Sequence, residues 1–298
     1  MSLPTLLAAV LLAGYAYASW QDWRTREVGD RVWQLLGGVG LVGGLFAFAT
    51  GSLLGVLLWV LAAAFVLEHM VPWDVAVERR SKSLPGALEL GAYVGVLAVL
   101  AFSLYRYGIG PGEVPVAVVA VVVTVVLARG LFEIGLLYGG ADAKALMVGG
   151  LLVPMFALPL LPVPATAQQI LAYYPFALNV LMNAAVLSIA VPVALALRNL
   201  RSGSFEFPRG FTSYLLPVSR LSQSFVWLKD PLTNPDGEDP ETTEEDAALR
   251  ARQQAGLEAK GVREVWVTPQ LPFVILLALG AATALLWGNL VIDLAALL

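Results

Sequence analysis

Two aspartates of this chain have the chemistry and the surroundings to act as a pair. Asp142 follows the small residues Gly139, Gly140 and Ala141, and it stands where an apolar segment begins. Asp22 comes just after the first apolar segment of the chain. Two neighbouring carboxylates share a proton, so one can activate water as a base while the other protonates a leaving nitrogen. If the fold brings these acids together, they suit the hydrolysis of an amide bond.

The composition removes most other catalytic groups. Of the 298 residues, 58% are hydrophobic and 13% are charged, whereas soluble domains carry about 25% charged residues. The chain has no cysteine and a single histidine, His69, which excludes disulfides, thiolate catalysis, cysteine-bound zinc and multi-histidine metal sites. We therefore expect a polytopic membrane protein without a cofactor or a metal. The net charge is −4 and there is no basic tract, so nucleic acid is not an expected partner.

The elements that must position the two acids are membrane helices. A bilayer-spanning helix needs about 20 apolar residues, and eight segments approach this length. They predict an all-α fold, a polytopic bundle of about eight transmembrane helices with a cytoplasmic loop before the last one. The predicted parts are a membrane catalytic bundle over 1–197, the loop over 198–270 and a C-terminal transmembrane helix over 271–298. The predicted spans are 3–20, 33–50, 51–68, 86–105, 114–132, 143–161, 171–197 and 271–292.

The distribution of basic residues orients these spans, because lysine and arginine concentrate in cytoplasmic loops. With the N-terminus outside, all of the 18 lysines and arginines except Arg106 lie on the cytoplasmic side. Asp22 follows the first span and Asp142 opens the sixth, so both are predicted at the cytoplasmic face. The alternative of a cleaved signal peptide ending near Ala18 is disfavoured, because a basic n-region is missing.

The long loop before the last span has a mixed pattern. The stretch from Asp230 to Asp246 is acidic and proline-containing, as in flexible linkers. A short helix is predicted over 247–260, and alternation over 262–267 predicts a brief strand. A solvated spacer is the favoured interpretation of the loop, and a substrate-docking element is the alternative.

Two short stretches resemble a known family. The sequence from Gly139 to Leu146 resembles the GxGDxKL box of type IV prepilin peptidases, and residues 19–28 resemble their first box, with its aspartate after helix one. The residues of these two stretches are most similar to those of the archaeal branch, the preflagellin and prepilin peptidases. By this resemblance Asp22 and Asp142 are the catalytic pair, while Lys144 matches the motif lysine.

Within this motif, Gly139 matches the first glycine and Gly140 the variable position, but Ala141 replaces the second glycine. The resemblance implies an aspartic endopeptidase in the plasma membrane, with membrane lipid around it. Its substrates would be pilin-like or archaellin-like precursors with a basic leader followed by an apolar helix. Bacterial members often carry a tetracysteine zinc module, which this cysteine-free chain lacks.

Other interpretations of the same residues remain open. The main alternative function is a proton- or cation-coupled transporter that uses Asp22 and Asp142 as carriers. A presenilin-like protease is a third possibility, although its first acid lies within a span. Asp142 alone is also a good helix-capping residue. Asn179 and Asn183 share a helix face, where they are expected to satisfy each other or a neighbouring helix.

Overall fold

A computed structural model describes most of the chain. The described residues are 2–48, 53–70, 94, 98, 101–102, 104–106, 108, 114–137, 139–155, 160–228 and 243–296. They are mostly helical, as predicted, and they form two compact units. The first unit comprises residues 1–19, 29–186 and 273–298, and the second comprises 20–28 and 187–272.

The described helices and strands follow the apolar segments, with additions in the long loop. The helices are α1 Leu3–Thr25, α2 Asp30–Phe48, α3 Leu53–His69, α4 Val114–Glu133, α5 Gly140–Leu152, α6 Ala165–Leu171, α7 Phe176–Ser188, α8 Ala190–Arg201, α9 Thr243–Ala259, α10 Phe273–Leu286 and α11 Leu290–Ala295. The strands are β1 Tyr214–Pro217, β2 Val226–Leu228 and β3 Glu264–Pro269.

Three described helical segments are long and apolar enough to cross a membrane. They are Leu3–Thr25, Val114–Glu133 and Phe176–Arg201, which combines α7 and α8. They correspond to the predicted first, fifth and seventh spans. Two shorter apolar helices, Leu54–Leu67 and Phe273–Leu286, fall in the predicted third and eighth spans. The predicted fourth span, 86–105, lies almost wholly outside the described residues.

The helix that carries Asp142 is shorter than predicted. A span was expected over 143–161, but α5 begins at Gly140 and ends at Leu152 after 13 residues. At 1.5 Å per residue it is about 20 Å long, less than the roughly 30 Å of a hydrocarbon core. Pro154 follows its end, and the residue before a proline disfavours helical torsions.

The short helix α5 lies in the core of the first unit and is packed by α2, α3, α4 and α10. Every residue of α5 from Asp142 onward is buried except Lys144, as expected for a helix that is covered on all sides. Small residues permit this packing. A Cβ at Gly40 would lie 3.1 Å from Cγ of Leu151, and one at Gly150 would lie 2.9 Å from Cγ2 of Thr124.

The second unit contains a three-stranded antiparallel sheet in the order β1-β3-β2. Tyr214 pairs with Val267 across β1 and β3, and Val226 pairs with Pro269 across β2 and β3. One face packs on a 3₁₀ turn and α9 around a buried cluster. Its members are Leu216, Val218, Leu221, Val226, Leu228, Leu257, Val265 and Val267.

This sheet corrects two expectations about the loop. The predicted helix and strand are present as α9 and β3, but the described loop residues fold around a hydrophobic core, so a solvated spacer is wrong for them. The all-α expectation holds for the bulk of the fold and fails here, because β1 and β2 are too short to give a periodic signal. The second unit includes all of α8, and the predicted division of the chain at residue 197 stays a prediction. The acidic stretch is described only from Thr243, where it begins α9.

Candidate functional site

Asp142 lies in the first turn of α5, three residues after the N-cap Gly139. Its side chain is buried, with 7% of the residue exposed. The carboxylate folds back over the N-cap: a Cβ built on Gly139 would lie only 2.8 Å from Oδ2 of Asp142. An acid in this position also interacts favourably with the helix dipole. The first glycine of the motif therefore makes room for the carboxylate of Asp142.

The next two motif positions are less constrained. A Cβ at Gly140 would meet nothing closer than Cε2 of Phe132, at 3.9 Å. Ala141 is the second residue of α5 and is partly buried. A methyl group is thus accommodated at position 141, where the family motif has glycine.

Lys144 forms an ion pair within the first unit. Its Nζ lies 2.5 Å from Oδ1 of Asp30, the first residue of α2. The lysine side chain is 18% exposed and the aspartate 59%, so the pair lies at the rim of the unit and contributes little to stability. The pair places the beginning of α5 beside the beginning of α2.

A buried hydrogen bond ties α5 to α1. The hydroxyl of Tyr15 donates to the carbonyl oxygen of Ala145 at 2.6 Å, and Tyr15 is fully buried. A Cβ at Gly149 would lie 2.5 Å from the same hydroxyl oxygen, so this glycine permits the close approach. Sequence reasoning missed Tyr15, although its spacing of i, i+7 from Asp22 puts both residues on one helix face.

Asp22 belongs to the second unit, at the C-terminal end of α1, and it is 8% exposed. Arg26, one turn further on, donates from Nη1 to the backbone oxygen of Asp22 at 3.2 Å. Burial lowers the pKa of Arg26, and the carboxylate of Asp22 opposes that shift by favouring the charged guanidinium. Asp22 and Arg26 thus interact electrostatically at the end of α1.

Phe225 connects this end of α1 with the folded loop. The guanidinium of Arg26 lies 5.0 Å from the centroid of the Phe225 ring, and that of Arg250 lies 5.7 Å from it. Arg250 is a buried residue of α9. Within the second unit, these cation–π contacts hold the segment after Asp22 against the folded loop. Neither Phe225 nor Arg250 was predicted, because their relation to Asp22 arises only when the loop folds.

The structure thus assigns the predicted residues to two surroundings. The second unit contains Asp22, whereas the first unit contains Gly139, Gly140, Ala141, Asp142 and Lys144. The proximity of the two carboxylates stays a prediction. Within the described ranges, no group of three or more His, Cys, Asp or Glu side chains is arranged to hold a metal ion.

The predicted amide pair has a structural role. Nδ2 of Asn183 donates to the backbone oxygen of Gly288 at 2.8 Å, and its Oδ1 accepts from the backbone N–H of Leu290. Oδ1 of Asn179 accepts from Nδ2 of Asn289 at 2.8 Å. Both amides therefore bind the turn between α10 and α11, as expected of a pair that satisfies a neighbouring helix. This turn also ends the predicted last span early, because α10 stops at Leu286.

No protein-family model matches the chain, and a search of curated proteins finds no match.

Proposed function

We propose that this protein is an aspartic endopeptidase of the membrane, with Asp22 and Asp142 as its catalytic pair. The observation that carries the proposal is the hydrogen bond from Tyr15 to Ala145, which joins the two helices that bear these acids. Tyr15 and Asp22 are on one face of α1 at i, i+7, and Asp142 is one turn before Ala145. We therefore expect α1 and α5 to run antiparallel and both acids to lie on the same side of this bond.

The ion pair between Lys144 and Asp30 supports the same arrangement. Asp30 begins α2, directly after the short connection that follows Asp22 and α1. Because Lys144 contacts Asp30, the start of α5 lies beside the start of α2 in the first unit. Both motifs of the resemblance are therefore expected at one membrane face.

The proposed reaction needs only the two carboxylates and water. The ionised carboxylate takes a proton from water, whose oxygen attacks the peptide carbonyl carbon. The protonated carboxylic acid then gives its proton to the leaving nitrogen as the C–N bond breaks. We propose that Asp22, which interacts with the cation of Arg26, activates the water and that Asp142 donates the proton.

The proposed setting is the plasma membrane, which the chain crosses several times, with its N-terminus outside. Three described spans support membrane residence, and the distribution of lysine and arginine supports the orientation. The proposed substrates are pilin-like or archaellin-like precursors, whose apolar helix lies in the membrane while the basic leader stays in the cytoplasm. Such a substrate presents its cleavable bond at the cytoplasmic rim, where both acids are expected.

The decisive experiment follows leader removal from a tagged precursor in membranes that contain the full chain. Asp22→Asn and Asp142→Asn are each expected to abolish cleavage, because each removes one member of a proton-sharing pair. Protein level and thermal unfolding of each variant are measured alongside, so that loss of fold is recognised. Glu258→Gln serves as the matched control, since it removes an exposed carboxylate of α9 that has no part in the proposed site and should retain cleavage.

Cleavage that survives both substitutions would overturn the carboxylate-pair mechanism. The transporter alternative predicts a different result: no precursor is cleaved by the wild type, and proton flux in vesicles depends on Asp22 and Asp142.

A further inference from the structure

The segment directly after the span Phe176–Arg201 has an unusual surface. Residues 202–211, here called the aromatic loop, contain three phenylalanines. The rings of Phe205 and Phe207 each pack edge-on against Phe211, with centroid distances of 5.4 and 6.2 Å. Phe207 is nevertheless 82% exposed. Phe211, in contact with it, is 37% exposed, so the two rings form one apolar patch, a feature of interaction surfaces.

The second unit holds the aromatic loop in one conformation. The buried side chain of Asn199 in α8 donates from Nδ2 to the backbone oxygens of Gly210 and Ser213, at 2.8 and 2.7 Å. A Cβ at Gly210 would lie 2.6 Å from Cδ2 of Phe205, so the backbone runs directly beneath that ring. The exposure of Phe207 is therefore built into the fold of the loop.

The apolar surface of α8 leads toward this loop. Val193, Leu197 and Leu200 are spaced along one side of the helix and are each about half exposed. Their spacing forms a stripe along the part of the span that belongs to the second unit. Lipid is the expected environment of this stripe, and the aromatic loop begins where the stripe ends.

Charge around the loop indicates which kind of membrane surface it contacts. Arg198, Arg201 and Arg209 lie within or next to the loop, against the single acid Glu206. The guanidinium of Arg198 stacks on Tyr214 at 3.8 Å, and that of Arg209 stacks on Trp266 at 4.8 Å. Arginine and aromatic residues together are typical of the interfacial zone of a bilayer, and anionic headgroups attract such basic clusters.

We propose that the aromatic loop inserts Phe207 into the headgroup region of the cytoplasmic leaflet and that its arginines select anionic phospholipid. The loop then anchors the second unit to the membrane surface, in addition to the apolar stripe of α8, which is expected to lie in lipid. This inference rests on membrane residence and orientation, and it is independent of the proposed peptidase activity.

The absence of native cysteine permits a direct test. The full chain carrying Phe207→Cys is labelled with a polarity-sensitive fluorophore and reconstituted into vesicles of phosphatidylcholine, with or without phosphatidylglycerol. The expected result is a blue-shifted emission that nitroxide-labelled lipid quenches and aqueous iodide does not, strongest with phosphatidylglycerol. The same label at Lys260→Cys, exposed at the end of α9, should stay accessible to iodide.

A second variant tests the role of charge. Adding Arg201→Gln to the labelled chain should lower the ratio of lipid-quenched to iodide-quenched probe about fivefold in anionic vesicles, because one basic residue near such a surface contributes about that factor. Iodide quenching at 207 in both vesicle types would overturn the insertion. Equal lipid quenching in neutral and anionic vesicles would overturn the selection of anionic lipid.

Discussion

At the scale of single residues, two different devices control the two acids. The carboxylate of Asp142 occupies the space that a side chain at Gly139 would need. Asp22 instead lies beside the guanidinium of Arg26, whose charge it stabilises. The missing side chain at Gly139 thus leaves room for the carboxylate of Asp142, whereas Asp22 interacts with the charge of Arg26. Each device gives a prediction about the proposed peptidase.

Gly139→Ala should lower the rate of leader removal by roughly 100-fold, the effect of displacing a catalytic group by about 1 Å. The new Cβ would press on Oδ2 of Asp142. Gly140→Ala, at the neighbouring open position, is the matched control and should retain activity within about threefold, since it adds a methyl group without a close contact. Single-turnover cleavage of the precursor measures both rates. Equal losses in the two variants would contradict the steric role of Gly139.

Arg26→Gln should move the acidic limb of the pH–rate profile to higher pH. A cation next to a catalytic carboxylate favours the deprotonated, basic form, so its removal means that a lower proton concentration is needed to keep the proposed base active. Arg26→Lys keeps the charge and should keep the profile, while Arg24→Gln, whose guanidinium stacks on Trp20 at 4.7 Å, is the control. The measurement is kcat/KM against pH. An unchanged profile for Arg26→Gln would contradict the assignment of Asp22 as the base.

At the scale of elements, α5 is positioned by its neighbours and not by its own length. At about 20 Å it is shorter than the hydrocarbon core of a bilayer, and its first turn carries the buried Asp142. The contact of Tyr15 with Ala145 depends on glycine at position 149, because a side chain there would collide with the hydroxyl group. Close approach through small residues is a common way of packing helices in lipid.

Gly149→Ala should therefore destabilise the protein by about 1–3 kcal/mol, the usual cost of overpacking. Gly130→Ala in α4 is the matched control: its Cβ meets nothing within 4 Å, and alanine is a better helix former than glycine by up to about 1 kcal/mol. Thermal unfolding in detergent distinguishes the two. A control that is as unstable as Gly149→Ala would show that this helix contact is not the cause.

At the scale of the whole molecule, the described part of the loop before α10 folds into one unit with α8 and the end of α1. The buried cluster around Leu221 packs the 3₁₀ turn and α9 against the sheet. Phe225 and Arg250 connect the folded loop with the end of α1, which belongs to the same unit. The unit thus has two roles in our proposals. It supports the segment that carries Asp22, and it contacts the membrane through the aromatic loop.

Leu221→Ala should cost the second unit about 2–5 kcal/mol, because it opens a cavity at a fully buried site. Leu271→Ala removes a side chain that is 46% exposed and should cost less than about 1 kcal/mol. Hydrogen exchange of β1 and β3 amides reports the difference. Equal, rapid exchange in the wild type and both variants would indicate that this unit is a solvated spacer after all.

Sequence alone predicted the helical bulk of the protein, three helices that are long and apolar enough to cross a membrane, and the residues proposed for catalysis. These features depend on local composition and on periods of about 3.6 residues, which single segments reveal. It also predicted α9 and β3, because a cap signal and an alternating run are local. The ends of α5 and α10 were predicted less well, since hydrophobicity continues beyond Leu152 and Leu286 while the helices stop.

Tertiary structure alone decided which groups meet. The partner of Lys144 is Asp30, the hydroxyl of Tyr15 reaches Ala145, and two arginines flank Phe225. Each of these contacts joins residues far apart in sequence, so no local pattern predicts them. The sheet belongs to the same class, because β1 and β2 are held by pairing with β3 and by a shared core. Contacts between distant segments form only when the chain folds, and they fix the positions of side chains whose types the sequence alone reveals.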